Sequence, residues 1–176
     1  MKNWLCLILL LGIILNINAQ SYMGVVKKTA NFREKPSMSA SKIATLSKDA
    51  KLFVISRVET NDYYHVIDID TNIEGYIYTS FVQIGKQIPV KESLFTQVGR
   101  TMSSETVIRI FNKSTKTVTL LLNGNEYQLQ SGKKDVLKLD QGKYSFRVSA
   151  PGFIPQHGTQ TIEGGYEYIW SFTGEQ

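Results

Sequence analysis

The chain has only one cysteine, Cys6, which lies in an apolar run near the N terminus. Lys2 precedes this run, which extends from Trp4 to Leu15, and the small residue Ala19 follows it. A basic start, a short apolar core and a small residue are typical of a secretory signal peptide, and 12 apolar residues are too few to cross a bilayer, which takes about 20. We therefore predict that residues 1–19 are a signal peptide and that the protein is secreted or periplasmic; an uncleaved anchor is the alternative.

Cleavage after Ala19 would leave no cysteine and two histidines, His65 and His157. Disulfides and thiolate sites are then excluded, so an apolar core has to hold each domain. Covalent catalysis needs a nucleophile, a base and a group that orients the base. We expect His65 to be a strand residue and His157 to be a loop residue, with no nucleophile beside either. The sequence predicts a protein that is not an enzyme.

An acidic stretch at residues 68–74 is the only segment that suggests a metal site. An EF-hand loop starting at Asp68 needs glycine at its sixth position and glutamate at its twelfth, where this chain has Ile73 and Thr79. A turn between two strands accounts for the same residues. We predict no metal and no cofactor.

Charge is also limited: the chain has 20 Lys and Arg against 15 Asp and Glu, a net charge of +5. The basic residues are scattered among acidic ones, so the sequence predicts no nucleic-acid partner. After loss of the signal peptide it predicts no membrane span either.

Short apolar segments separated by turn residues fill the region from Met23 to Ile84, and no window keeps helical spacing for three turns. The pattern predicts six short strands. Val66 and Ile67 break the alternation of their strand, which indicates either a bulge or a strand covered on both faces. The predicted strands lie near residues 23–28, 43–46, 51–58, 63–69, 75–78 and 81–84.

Four blocks in this region, NFREKPS, KLFVI, YYHV and GYIYTSFV, begin at Asn31, Lys51, Tyr63 and Gly75. Their order resembles the bacterial SH3-like (SH3b) domain family, in which a typical chain reads LNVRxGPS, a valine-rich strand, WYKV and GWVxxxYL. The resemblance covers residues 22–85 and implies a small β-barrel. Four residues depart from the family pattern: Phe32, Lys35, Tyr63 and Tyr76.

The resemblance implies an exported binding protein that recognises a cell-wall or envelope peptide. If Tyr63 faces the same way as Tyr76 and Tyr78, the three would line a shallow groove with large apolar contact and polar tips. Partial burial against the connecting segment or the second domain is the alternative. Asn31 satisfies backbone groups of its own loop or contacts ligand, and Arg33 is placed to reach a ligand carboxylate. The candidate binding residues are Tyr63, Tyr76, Tyr78, Arg33 and Asn31.

Residues 86–105 lose the alternation and are predicted to be a linker, with Val90 to Val98 forming a short strand or helix that docks on one domain. A second β-rich unit follows over residues 106–176. Alternating residues on both sides of Asn123-Gly124 predict a hairpin. A second hairpin is predicted across residues 140–143. Seven short strands would suit a β-sandwich of immunoglobulin-like size.

The last strand carries Tyr166, Tyr168, Trp170 and Phe172 at period two, which favours a core stripe over a carbohydrate platform. Residues 139–153 are weakly similar to PEGA and related small surface β-domains. The predicted class is thus all-β: a signal peptide, an SH3-like barrel over residues 20–85, and a β-sandwich.

Three functions stay open at this point. The first is an exported non-catalytic binding protein of the cell envelope. The second is a structural or adaptor protein that uses both β-domains for protein–protein interaction. The third is an accessory regulator of a separate wall hydrolase. The sequence does not decide the ligand or the oligomeric state.

Overall fold

The computed structural model describes residues 20–174, and all of its regular elements are strands apart from one short 3-10 turn at Thr79–Phe81. The all-β prediction is confirmed. The predicted signal peptide lies outside the described residues. Within residues 20–174, no helix has the length and apolar character to span a membrane.

Seven strands form the N-terminal unit as one sheet in the order β3-β2-β6-β5-β4-β1-β7. Neighbouring strands pair in antiparallel fashion throughout. The strands are β1 (Tyr22–Val26), β2 (Ala30–Arg33), β3 (Lys42–Leu46), β4 (Lys51–Val54), β5 (Tyr63–Asp68), β6 (Ile73–Tyr78) and β7 (Val82–Gln87).

One buried cluster lies inside this sheet. Leu46 of β3 and Val82 of β7 belong to the same buried cluster although their strands are at opposite edges of the sheet. The sheet must therefore curve around the cluster, as a small barrel does. Gly75 allows the close approach of β2, because a Cβ atom there would lie 2.8 Å from the ring of Phe32.

Strand β2 was not among the predicted strands. Only Ala30 and Phe32 face inward in it, and a four-residue strand gives too little alternation to recognise. Asn31 was expected to lie in a loop, and this expectation was wrong: it lies in β2, opposite Thr45 of β3.

Eight strands form the C-terminal unit as two four-stranded sheets, β11-β10-β13-β14 and β12-β9-β15-β8. Both sheets contribute to one core. The strands are β8 (Thr96–Arg100), β9 (Thr106–Asn112), β10 (Val118–Leu122), β11 (Asn125–Leu129), β12 (Lys134–Leu139), β13 (Gly142–Ala150), β14 (Phe153–Ile162) and β15 (Tyr166–Phe172). The likeness of this unit to immunoglobulin domains stays a prediction.

The predicted hairpin at Asn123-Gly124 joins β10 to β11, with Leu122 opposite Asn125. Both turn residues have positive φ, 46° and 85°, as a two-residue hairpin turn requires. The aromatic stripe of β15 lies in the core, where Tyr168 and Trp170 are buried.

The second predicted hairpin was wrong. Strand β12 pairs with β9 and lies in the opposite sheet from β13, so residues 140–141 carry the chain across the core. Leu137 faces the core from one sheet and Phe146 from the other. Alternation is the same whether two strands pair or face each other across a core, so the pattern does not distinguish the two cases.

The segment 86–105 is more ordered than a linker. Thr96–Arg100 form β8, which pairs with β15, and Leu94 and Phe95 are buried in the core of the second unit. The side chain of Gln160 accepts hydrogen bonds from the backbone N–H groups of Leu94 and Phe95 and donates one to the Phe95 carbonyl. A single glutamine thus replaces a strand partner for this part of the backbone.

The two units pack against each other through the outer face of β4 and β5. Val66 points into the barrel core, whereas Ile67 belongs to a separate outer cluster with Phe53. The strand is therefore covered on both faces, as one of the two alternatives predicted. Across the interface, the Gly152 N–H donates to the Ile69 carbonyl over 2.7 Å.

His157 also lies at this interface, with its ring edge-on to Phe53 at 5.8 Å between centroids. The prediction of a loop residue was wrong, because His157 is in β14 and pairs with Arg147. Pro155 interrupts the strand signal in the sequence, but β14 is an edge strand, where a missing N–H is tolerated.

Candidate ligand-binding groove

An open groove of about 930 Å³ lies on the barrel between the loop after β2, the turn before β5 and the turn after β6. Its lining combines aromatic rings with polar groups and one exposed methionine. The lining residues used below are Asn31, Arg33, Met38, Asn61, Asp62, Tyr63, Tyr78 and Phe81.

Tyr63 and Tyr78 form the aromatic floor of the groove. They are directly opposite each other in the β5–β6 ladder, and their rings meet edge-to-face at 5.4 Å between centroids. Phe81 extends the floor at 6.2 Å from Tyr78. Tyr63 is 5% exposed, whereas Tyr78 is 37% exposed and offers its ring to a ligand.

The loop after β2 is held in place by Arg33. The Arg33 Nη1 donates to the Ala40 carbonyl over 2.7 Å, and the Glu34 N–H donates to the Ser41 carbonyl. Asn61 joins this loop to the turn before β5, because its Nδ2 donates to the Pro36 carbonyl over 3.2 Å. The two walls of the groove are therefore tied to each other.

The turn before β5 is tight. Thr60 and Tyr63 exchange two backbone hydrogen bonds, and the residues between them, Asn61 and Asp62, both have positive φ. The Thr79 N–H donates to the Asp62 carbonyl over 2.8 Å, which ties this turn to the end of β6. The Asp62 backbone is thus fixed at the rim of the groove.

Tyr76 lies outside the groove although it was grouped with the other tyrosines. It stacks on His65 at 4.6 Å between ring centroids, with 9° between the planes. The structure therefore brings Asn31, Arg33, Tyr63 and Tyr78 together and leaves Tyr76 apart.

His65 belongs to a polar cluster that reaches the second unit. Its Nε2 lies 2.7 Å from the Glu74 carboxylate, and Glu74 also pairs with Arg147 of β13. Partial burial acts to raise the pKa of Glu74, but the hydrogen bond from His65 and the charge of Arg147 outweigh it and hold this pKa below its usual value. Glu74 is therefore a carboxylate that links the two units.

The acidic stretch forms a turn, as expected. Thr71 donates its hydroxyl to the Asp68 carboxylate over 2.6 Å, and Asn72 adopts a φ of 60° between β5 and β6. In the part of the chain that the structure describes, no three potential metal-ligating side chains lie close enough to hold an ion.

Sequence reasoning missed Met38, Asn61, Asp62 and Phe81 as groove residues. Asn61-Asp62 is a turn signal, but a turn signal does not say which face of the barrel the turn borders. Met38 lies in the loop after β2 and Phe81 in the 3-10 turn after β6, and the course of both segments depends on how the whole barrel folds.

The groove residues all fall within one stretch of the chain. Residues 28–83 match the family model of the bacterial SH3 domain. The SH3 resemblance is thus confirmed for the N-terminal unit, and the matched residues include the whole lining of the groove. A bacterial SH3 domain indicates a binding module, and such modules are often related to the cell wall. No curated protein matches the chain.

Proposed function

We propose that this protein is an exported, non-catalytic binding protein of the bacterial cell envelope. Its SH3 domain groove would bind peptide segments of the cell wall or of an envelope protein. The SH3 match and the predicted signal peptide support this proposal together.

The aromatic floor of the groove is the observation that carries the proposal. Among residues 20–174, the hydroxyl groups of Tyr63 and Tyr78 have no hydrogen-bond partner. A tyrosine with a free hydroxyl combines apolar contact area with one polar tip, which suits a peptide backbone. Because Arg33 holds the loop after β2 and Asn61 ties this loop to the turn before β5, the groove needs little ordering before it binds.

Retention on purified peptidoglycan tests the proposal. Tyr78→Ala removes the exposed ring of the groove, and we expect roughly tenfold weaker retention, which corresponds to the loss of one aromatic contact. Tyr76→Ala is the matched control, because it removes a ring from the same strand outside the groove. We expect this control to keep wild-type retention.

Three results would narrow or contradict the proposal. Equal retention of all three proteins would remove the groove from wall binding, and no retention of any would leave only an envelope-protein peptide as ligand. Release of soluble products from wall fragments by the purified protein would contradict the non-catalytic role.

A structural or adaptor role is the second candidate, and the outer face of the sheet β12-β9-β15-β8 favours it. Val136 and Ile169 on this face are 48% and 43% exposed. Crosslinking in the envelope tests it: crosslinks from this face to one protein, lost in a Val136→Lys variant, would support the adaptor role. Regulation of a separate wall hydrolase is compatible with either candidate.

A further inference from the structure

Two charged side chains of opposite sign border the SH3 groove without a charged partner. Arg33 and Asp62 both line the groove, and within the described range 20–174 neither takes part in an ion pair. Charges left unpaired at the rim of a binding groove are available to complementary charges of a ligand.

Arg33 is held ready for an anionic group. One N–H of its guanidinium is used by the Ala40 carbonyl, which fixes the orientation of the group and leaves its other donors for a ligand. The planar guanidinium matches the two oxygens of a carboxylate. An immobilised arginine loses less conformational entropy on binding than a free one.

Asp62 is placed to accept from a cation or an N–H donor. Its backbone is fixed by the tight turn and by the hydrogen bond from Thr79. A carboxylate only accepts hydrogen bonds, and an ammonium group, which only donates them and carries the opposite charge, is its complement at a peptide end. Its neighbour Tyr63 lies in the floor of the groove.

The ladder sets the separation of the two charges. Arg33 is on β2, which pairs with one side of β6, and Asp62 directly precedes β5, which pairs with the other side. Arg33 is level with His65, three residues beyond Asp62, so two strand spacings across the sheet and this offset along it put the two backbones roughly 14 Å apart. After roughly 3 Å for a hydrogen bond at each end, this span leaves room for about three residues of an extended peptide, lying over the ring of Tyr78.

We propose that the groove selects short zwitterionic peptides, with the carboxylate on Arg33 and the ammonium on Asp62. This inference rests on the proposed function of the groove as a peptide site. It names the ligand class by its two charges and their spacing.

Trialanine in four forms tests the inference: with free ends, acetylated at the N terminus, amidated at the C terminus, and blocked at both ends. Binding to the chain without residues 1–19 is followed by NMR shifts of the groove amides. We expect the free form to bind roughly tenfold more tightly than either singly blocked form, since each block removes one charged contact.

The variants Asp62→Asn and Arg33→Gln assign each charge. The Asp62→Asn variant should bind the free and the acetylated peptide equally and should still bind the amidated peptide more weakly. The Arg33→Gln variant should bind the free and the amidated peptide equally and should still bind the acetylated peptide more weakly. Arg33→Lys keeps the positive charge and should retain part of the preference for a free carboxylate over an amidated end. Asp70→Asn, which changes an exposed carboxylate outside the groove, is the control.

Equal binding of free and blocked trialanine at the groove would overturn the charge selection and leave the peptide site standing. No shift of groove amides with any form, in a protein whose wall retention depends on Tyr78, would also overturn the selection alone. If the wild-type protein bound neither trialanine nor purified peptidoglycan, the proposed function itself would be overturned.

Discussion

Glu74 of the SH3 domain forms an ion pair with Arg147 of the second unit, so a charged contact joins the two units. The Arg147 side chain is 18% exposed and that of Glu74 is 39% exposed. His65 donates to the other oxygen of the same carboxylate. The contact lies beside the apolar interface of Phe53 and His157, and together they fix how the SH3 domain sits on the sandwich.

We expect Glu74 and Arg147 to be energetically coupled. A double-mutant cycle with Glu74→Gln and Arg147→Met should give a coupling of about 1 kcal/mol, at the upper end for partly exposed pairs, because Arg147 is mostly buried. The free energy of unfolding in urea measures it. The pair Lys138–Glu105, with side chains 68% and 58% exposed, is the control and should give about 0.3 kcal/mol. Equal coupling in both pairs would contradict the prediction.

The stability of the interface should fall on mild acidification because of His157. Burial lowers the pKa of His157, a hydrogen bond with the Ile88 backbone acts against this, and the nearby charge of Arg147 lowers it further. Its Nε2 is buried and has no hydrogen-bond partner among residues 20–174. A group with a lowered pKa stabilises the fold above its usual pKa of 6.5 and loses this contribution as pH falls through the folded value.

We therefore expect the free energy of unfolding to decrease between pH 7 and pH 5 in the wild type and to decrease less in His157→Gln. The slope with pH is the measurement, so a constant loss of stability in the variant does not disturb it. Glu74 adds a second decrease at lower pH, because its pKa is also lowered, from 4.5. Identical slopes for wild type and His157→Gln would show that His157 is not the titrating group.

Gly158 should tolerate no side chain. A Cβ atom there would lie 1.9 Å from the Lys91 carbonyl oxygen, which is backbone and pairs with β14 at this point. We expect Gly158→Ala to lower the free energy of unfolding by about 3 kcal/mol, as other overpacked sites do. Gly99→Ala is the control: nothing lies within 4 Å of its Cβ position, so its effect should stay within about 0.5 kcal/mol. A similar loss in both variants would contradict this account.

Gln160 should hold the segment that joins the two units. Gln160→Met leaves the N–H groups of Leu94 and Phe95 without their acceptor, and we expect a loss of about 2 kcal/mol with faster hydrogen exchange at these two amides. Gln156→Met is the control, since within residues 20–174 the Gln156 side chain bonds only to the exposed ammonium of Lys91. Unchanged exchange at both amides in Gln160→Met would show that the glutamine does not hold this segment.

Local patterns predicted many of the strands. Alternation gave β6 with Ile77 facing inward, and Asn123-Gly124 gave the β10–β11 hairpin, because both signals come from neighbouring residues. Strand β2 was missed because it is short. The predicted pairing of β12 with β13 was wrong because alternation carries no information on the pairing partner. Strand β8 was predicted only as a strand or helix within Val90 to Val98, because its residues are all exposed and show no alternation of burial.

The residues of the candidate groove were also predicted only in part. Alternation put Tyr76 and Tyr78 on one face of their strand, and Tyr63 was grouped with them on the condition that it faced the same way, as its pairing with Tyr78 now shows. Tyr76 shares that face, yet stacking on His65 beside the second unit keeps it out of the groove. Asp62 was not selected, because its position at the rim depends on a turn bonded to Thr79.

The sequence by itself determined the all-β class, the SH3 domain and the aromatic residues of its outer face, because these follow from side-chain period, turn residues and a motif in order. Only the tertiary structure decided which sheet each strand joins, that His157 and Arg147 meet the SH3 domain, and which charges border the groove. These depend on contacts between residues far apart in the chain, and hydrophobic packing, which has no direction, selects among them only when the whole core forms.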